Sequence, residues 1–167
     1  MLSGTLGAGK TRLAEEVADL LRERGLRHAV LDLDALCQAW PPPDDDPWHD
    51  RLALANLAAV WPGYAAAGVG HLVLARVVAD PADRQRYERA LAPDVDLTVV
   101  LVQAGAATRR ARLTAREPDG YWRSGHLARS DGLARQLADL SLEDVRVDND
   151  GRPARAVAEE VLLRLGW

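Results

Sequence analysis

The sequence predicts a three-layer α/β fold, an open and mostly parallel sheet of five strands with helices on both faces. Short apolar runs alternate with helix-period segments along the whole chain. One run, DLTVVLVQ (96–103), is almost wholly apolar, as a strand covered on both faces requires. A glycine-rich turn, GTLGAGKT (4–11), joins the first run to the first helical segment.

Each element follows from local pattern. Only Met1, Leu2 and Ser3 precede the turn, fewer than the five or six residues of an ordinary strand. Either the first strand is stunted or the chain start lies further upstream. Residues 13–25 carry Leu13, Val17, Leu20 and Leu21 at helical spacing, and Gly25 supplies a stop. HAVLDLD (28–34) reads as a buried strand, and residues 35–40 as one or two helical turns halted by Pro41, Pro42 and Pro43. Residues 51–67 are apolar at Leu52, Leu54, Leu57, Val60, Trp61 and Tyr64, which predicts a helix kinked at Pro62. HLVLARVV (71–78) is the next strand, and 81–91 the next helix, with Pro81 at a favoured first-turn position. After the strand at 96–103 come an Arg-rich helix (106–117), a Gly-containing loop (118–125) and a helix (125–140). DVRVD (144–148) and the helix 153–165 close the chain. Strands alternating with helices put ligands beyond the carboxyl ends of the strands. The whole of 1–167 is one domain, with a candidate lid at 117–125.

Composition sets the limits. A chain of 167 residues suits a single domain and buries about 70% of its unfolded surface. Its formal charge of −4 argues against a protein built to neutralise a long nucleic acid. The lone cysteine, Cys37, excludes an internal disulfide framework and fits a reducing, cytoplasmic setting. No run nears eighteen apolar residues and no basic-then-apolar leader opens the chain, so neither a membrane span nor a secretion signal is expected. His28, His49, His71 and His126 lack zinc-site spacing.

One count is more informative. Of 21 basic residues, 20 are Arg, and Lys10 is the single lysine. It stands in G-x-x-x-x-G-K-[ST], formed by Gly4, Gly9, Lys10 and Thr11, with Thr5, Leu6, Gly7 and Ala8 between. From this composition the match arises by chance on the order of a few times in ten thousand chains. Gly4, Gly7 and Gly9 let the backbone approach phosphate oxygens closely. The loop amides and the following helix N-terminus make a concave anion site. Lys10 is a compact charge for the β- and γ-phosphates, and the Thr11 hydroxyl is a ligand for Mg²⁺.

Asp32 and Asp34 share a face of their strand, with Asp34 at its carboxyl end. Asp34 suits the orienting and deprotonation of an acceptor hydroxyl, and Asp32 suits Mg²⁺, directly or through water. The alternative for Asp34 is a simple cap on the helix starting at Ala35. GTLGAGKT, a helix ending in LRERG, and VLDLDAL together resemble the adenylylsulfate kinases and the chloramphenicol-phosphotransferase-like kinases. Both are small-molecule kinases of the P-loop type, and the likeness covers residues 2–36. It implies the P-loop nucleoside triphosphate hydrolase fold, ATP as phosphoryl donor, and an Asp34 that acts on the acceptor. Leu33 replaces the glycine of LDGD, and Ala35-Leu36 the expected Asn-Val-Arg, so adenylylsulfate is not the expected acceptor.

Arg109, Arg112 and Arg116 follow helical spacing on one face, with Arg123 beyond. Converging guanidiniums there clamp a transferring phosphoryl group, unless the face is merely solvated. RLTARE resembles the RxxxR helix of these kinases, which implies contacts of Arg112 and Arg116 with adenine and phosphates. VDNDGRP (147–153) resembles their adenine-cradling turn, implying Asn149, Gly151 and Arg152; otherwise it is an ordinary turn capped by Asp150. Arg76, inside an apolar strand, needs either an anionic substrate or a nearby Asp. Asp80 is a second candidate for magnesium. Trp40, Trp48 and Arg51, with Asp44, Asp45, Asp46 and Asp50, flank the acceptor mouth or form a solvated loop. Aromatic plates beside carboxylates suit a neutral or cationic acceptor better than a polyanion. The expected activity is transfer of the ATP γ-phosphoryl, with Mg²⁺, to a hydroxyl of a small molecule. The alternatives are a nucleotide-driven switch or assembly module, and a nucleotide or nucleic-acid kinase.

Overall fold

A computed structural model describes residues 1–91, 95–116, 118 and 120–167, with Tyr121 and Trp122 described for their backbone alone. Among these residues five strands form one sheet: β1 (Leu2–Ser3), β2 (His28–Asp32), β3 (His71–Ala75), β4 (Val100–Gln103) and β5 (Val145–Asp148). All are parallel, in the order β2-β3-β1-β4-β5. β1 has two residues, yet it is central. Leu2 pairs with Ala75 on one side and Val100 on the other, and Val100 N–H donates to the Met1 carbonyl at 2.8 Å. Pairing from both sides holds a strand too short to persist alone.

Among the described residues six α-helices connect and cover the strands: α1 (Lys10–Glu23), α2 (Asp50–Ala66), α3 (Asp83–Leu91), α4 (Ala106–Arg116), α5 (Tyr121–Leu140) and α6 (Ala154–Leu165). A short 3-10 turn spans Ala35–Cys37. Side-chain alternation divides the core between the two faces. Val73, Val100 and Val102 pack with Leu13, Val17 and Leu21 of α1 and Val157 and Val161 of α6. Leu74 and Val99 face the other way, onto Leu57 of α2 and Tyr87 and Leu91 of α3. Leu101 meets Leu133 and Leu137 of α5.

The expected order of elements holds, and the differences lie at their ends. α2 continues through Pro62 as one helix. α5 begins at Tyr121, so the stretch expected as loop up to Gly125 is partly the first turn of a 20-residue helix. A mid-helix glycine costs about 1 kcal/mol, an amount offset by burial of Leu133 and Leu137. Glu117 and Asp119, in the expected lid, lie outside the described residues.

Candidate active site

The loop after β1 turns under α1. Gly9 is the N-cap of α1, at φ 97° and with no side-chain cap, and no acidic residue stands in the first turn. The unpaired amides and the positive helix end are therefore left for an external anion. A Cβ on Gly9 would stand 2.5 Å from Asn149 Nδ2, and one on Gly7 would stand 2.8 Å from the Arg109 carbonyl. The glycines are thus required both by their positive φ and by what surrounds them.

A cleft of about 500 Å³ opens over this loop, lined by Thr5, Leu6, Gly7, Gly9, Lys10 and Thr11. Asp34, Arg112, Arg116 and His126 complete its walls. Gly4 and Ala8 lie beneath, both buried. Lys10 Nζ donates to the Gly4 carbonyl at 2.8 Å and more weakly to Thr5 at 3.4 Å. Desolvation lowers its pKa; Asp34 and Asp32 oppose that shift and Arg116 adds to it. The ammonium thus rests on loop carbonyls that a polyanion would replace with better partners.

Thr11 Oγ1 donates to Asp32 Oδ2 at 2.9 Å, so the two expected metal ligands already meet at the cleft. The other Asp32 oxygen accepts the Asp34 amide at 3.1 Å. Asp34 makes no side-chain cap to the 3-10 turn, so capping is not its role. Its Oδ1 instead accepts Arg76 Nη1 at 3.0 Å.

Arg76 follows β3 directly and is 4% exposed. Its donors reach Asp34, Asp50 Oδ1 at 2.7 Å, the Trp48 carbonyl at 2.7 Å and Cys37 Sγ at 3.1 Å. The lone charge has its partners, as a buried guanidinium must. Burial opposes its ionisation, yet the bonds to Asp50 and Cys37 leave its pKa raised. Beside it a second cavity of about 330 Å³ is lined by Trp48, Asp50, Arg76, Asp80, Arg86 and Arg129, among others, and by Asp34. Among the described residues, Asp34 is the one shared by both cavities.

The arginine face divides. Arg112 reaches the Ala8 carbonyl at 3.0 Å and the Asn149 carbonyl at 2.9 Å, and Arg116 lines the cleft. Arg109 turns away to α5, where it holds Ser130 Oγ at 3.1 Å and Asp131 Oδ1 at 2.5 Å. Only the later turns of α4 reach the cleft, so the expected three-arginine clamp has two members there. Ser130 also bonds the loop, accepting Thr5 Oγ1 at its carbonyl (2.8 Å) and donating Oγ to Leu6 (2.9 Å).

Asn149 is buried and donates Nδ2 to the Ala8 carbonyl at 2.7 Å. Gly151 and Arg152 do not line the cleft; Arg152 is paired with Glu160 at 2.7 Å. Asp80 accepts the Ala82 amide and pairs with Arg86 at 3.3 Å, in the second cavity and away from Thr11. Arg51 is taken up by Asp45 at 2.7 Å and lines neither cavity. Asp46 caps α2 through the amides of Asp50 and Arg51. Trp40 is 81% exposed and also lines neither. Of the expected acceptor mouth, Trp48 and Asp50 remain. Sequence reasoning missed His126 and Arg129, which carry no motif and sit on a helix whose start it misplaced.

A parallel sheet in this order, with a glycine loop feeding α1, a carboxylate at the last residue of β2 and another two residues beyond, resembles the P-loop kinases in fold. No family model and no curated protein matches the chain. Solved structures do. The tunicamycin resistance protein of Deinococcus radiodurans is 18% identical, with TM-score 0.68, over 99% of this chain and 94% of that one. A sugar kinase of Janibacter sp. HTCC2649 is 26% identical, with TM-score 0.63, over 99% and 92%. The APS kinase of Mycobacterium tuberculosis, solved with AMPPNP and APS, is 18% identical, with TM-score 0.64, over 100% and 96%. The resemblance seen in residues 2–36 therefore extends, as a fold, over the whole chain.

Proposed function

We propose that the protein is an ATP-dependent phosphotransferase that moves the γ-phosphoryl group to a hydroxyl of a small molecule. The observation that carries this is Asp34, which faces both the loop cleft and the second cavity. A phosphoryl donor in one and an acceptor in the other would meet at its carboxylate. Its oxygen accepts the proton as the acceptor hydroxyl oxygen bonds to the γ-phosphorus. The bond from that phosphorus to the β,γ-bridging oxygen breaks, and ADP leaves with the electron pair. Lys10, Thr11 and the loop amides hold the triphosphate, while Arg112 and Arg116 steady the charge on the transferring group. Arg76 acts as a positioning residue that fixes Asp34, and Asn149 seats the base side of the cleft against Ala8.

The oxygen donors Thr11 and Asp32 fit Mg²⁺, which demands oxygen ligands and borrows the rest from phosphates and water. Bound there, it would neutralise charge on the phosphate oxygens. Likeness to a sugar kinase and to APS kinase supports a small-molecule acceptor over a long nucleic acid. Among the described residues no helix is long and apolar enough to cross a membrane. With one cysteine, the chain fits the cytoplasm.

The test is calorimetric titration with ATP and GTP, then a screen of hydroxylated metabolites and antibiotics for acceptor-dependent ADP release. Nucleotide binding plus stimulation by one acceptor class is the expected outcome. Hydrolysis that no acceptor accelerates, with partner capture that follows the nucleotide, would favour a switch instead.

A further inference from the structure

The second cavity contains three guanidiniums in different states. Arg76 is spent on Asp34 and Asp50, and Arg86 on Asp80 and Asp83. Asp83 also accepts the amides of Ala79 and Asp80. Arg129, projecting from α5, is half-buried and lies with its guanidinium carbon 3.3 Å from the centroid of the Trp48 ring. Among the described residues it makes no hydrogen bond or ion pair. Desolvation lowers its pKa, although the nearby charges of Asp34 and Asp50 act to raise it.

This arrangement is directional. The indole packs against the guanidinium, whose side chain also lines the cavity, and such stacking leaves the N–H donors of a planar guanidinium available at its edge. The Trp48 carbonyl is fixed by Arg76, the residue that fixes Asp34, so platform and carboxylate share one support. Asp34 and Asp50 each give one oxygen to Arg76 and keep the other for an acceptor's hydroxyls. A planar carboxylate is the group whose two oxygens match a guanidinium edge.

Resting on the phosphotransferase reading, we propose that Arg129 is the specificity-determining residue and that the acceptor is a hydroxylated carboxylic acid. Its carboxylate docks on Arg129 and its hydroxyls face Asp34 and Asp50. The loop sequence alone favours a neutral or cationic acceptor over a polyanion; Arg129, more than sixty residues away, adds the cation that a single carboxylate needs.

ADP formation measured with matched acceptors tests this: glycerate against glycerol, and gluconate against sorbitol and glucosamine. Wild type, Arg129→Gln and Arg129→Lys are compared, with ATP titrated into each sample. At least one acid should exceed its neutral or amino counterpart at least tenfold in kcat/KM. Arg129→Gln should raise the KM for that acid at least tenfold and erase the preference, and Arg129→Lys should restore part of it. Equal or better use of the uncharged or amino acceptors overturns the proposal. So does a preference that survives Arg129→Gln, or a panel in which no acid is phosphorylated by ATP-bound enzyme. A chain that binds no ATP defeats both readings together, whereas an ATP-bound chain that prefers sorbitol defeats only this one.

Discussion

Arg76 Nη1 lies 3.0 Å from Asp34 Oδ1, which ties the carboxylate that faces both cavities to a buried guanidinium. That bond holds one carboxylate oxygen, and on the proposed mechanism the other would meet the acceptor hydroxyl. Replacing Asp34 by Asn keeps the shape and removes the proton acceptor. Turnover of the identified acceptor should fall about 10²- to 10⁴-fold. ATP affinity by calorimetry should stay within about threefold, since the loss falls on the chemical step. Wild-type turnover by Asp34→Asn would remove the assigned base.

The same guanidinium is balanced by Asp34 and Asp50 together, whose side chains are 67% and 58% exposed. Either carboxylate alone still compensates it, and water screens the exposed partners. Asp34→Ala or Asp50→Ala should each cost about 1 kcal/mol. Losing both strands a buried charge, and the double variant should cost about 3–5 kcal/mol, more than the sum. Urea unfolding of the four proteins measures the coupling; simple additivity would show that Arg76 finds other compensation.

Legibility followed chain distance. The glycine loop, α1 and the Asp32–Asp34 pair lie within thirty-one residues, so their meeting at one cleft is readable from spacing. The apolar strands were readable because both faces of the sheet are covered, but β4 proved shorter than its apolar run. Hydrophobic pattern marks burial, whereas a strand ends where its neighbours stop pairing. The second cavity joins residues from 34 to 136, and no local period records such a meeting. Arg109 and Arg112 looked equivalent in sequence; only the position of α4 over the loop separates one that holds α5 from one that holds the loop.

Gly9 offers a test of loop geometry. An added Cβ would meet Asn149 Nδ2 at 2.5 Å and Arg112 Nη1 at 3.2 Å, on a backbone at φ 97°. Gly9→Ala should destabilise the protein by about 1–3 kcal/mol and abolish the rise in melting temperature given by ATP. Adding Asn149→Ala relieves the contact but not the φ, so recovery should be partial. Full recovery would mean that the steric contact alone matters.

Lys10 links function to pH. Desolvation sets its pKa in the free protein below the ordinary lysine value. A bound triphosphate favours the charged form, so the pKa rises on binding. Between those two values the complex carries a proton that the free protein lacks. ATP affinity should therefore fall as pH climbs through the free value toward about 10, and binding there should take up protons. Calorimetry in two buffers of different ionisation enthalpy reads that uptake directly. The unfolded chain holds the lysine proton more tightly than the native one, so free-protein stability gains from this group as pH rises through the lowered value. Lys10→Met lacks both effects: it should bind no ATP, yet melt at or above the wild-type temperature near neutral pH, because the desolvated charge is gone. Affinity that is flat with pH, with no proton uptake, would show that Lys10 does not grip the nucleotide.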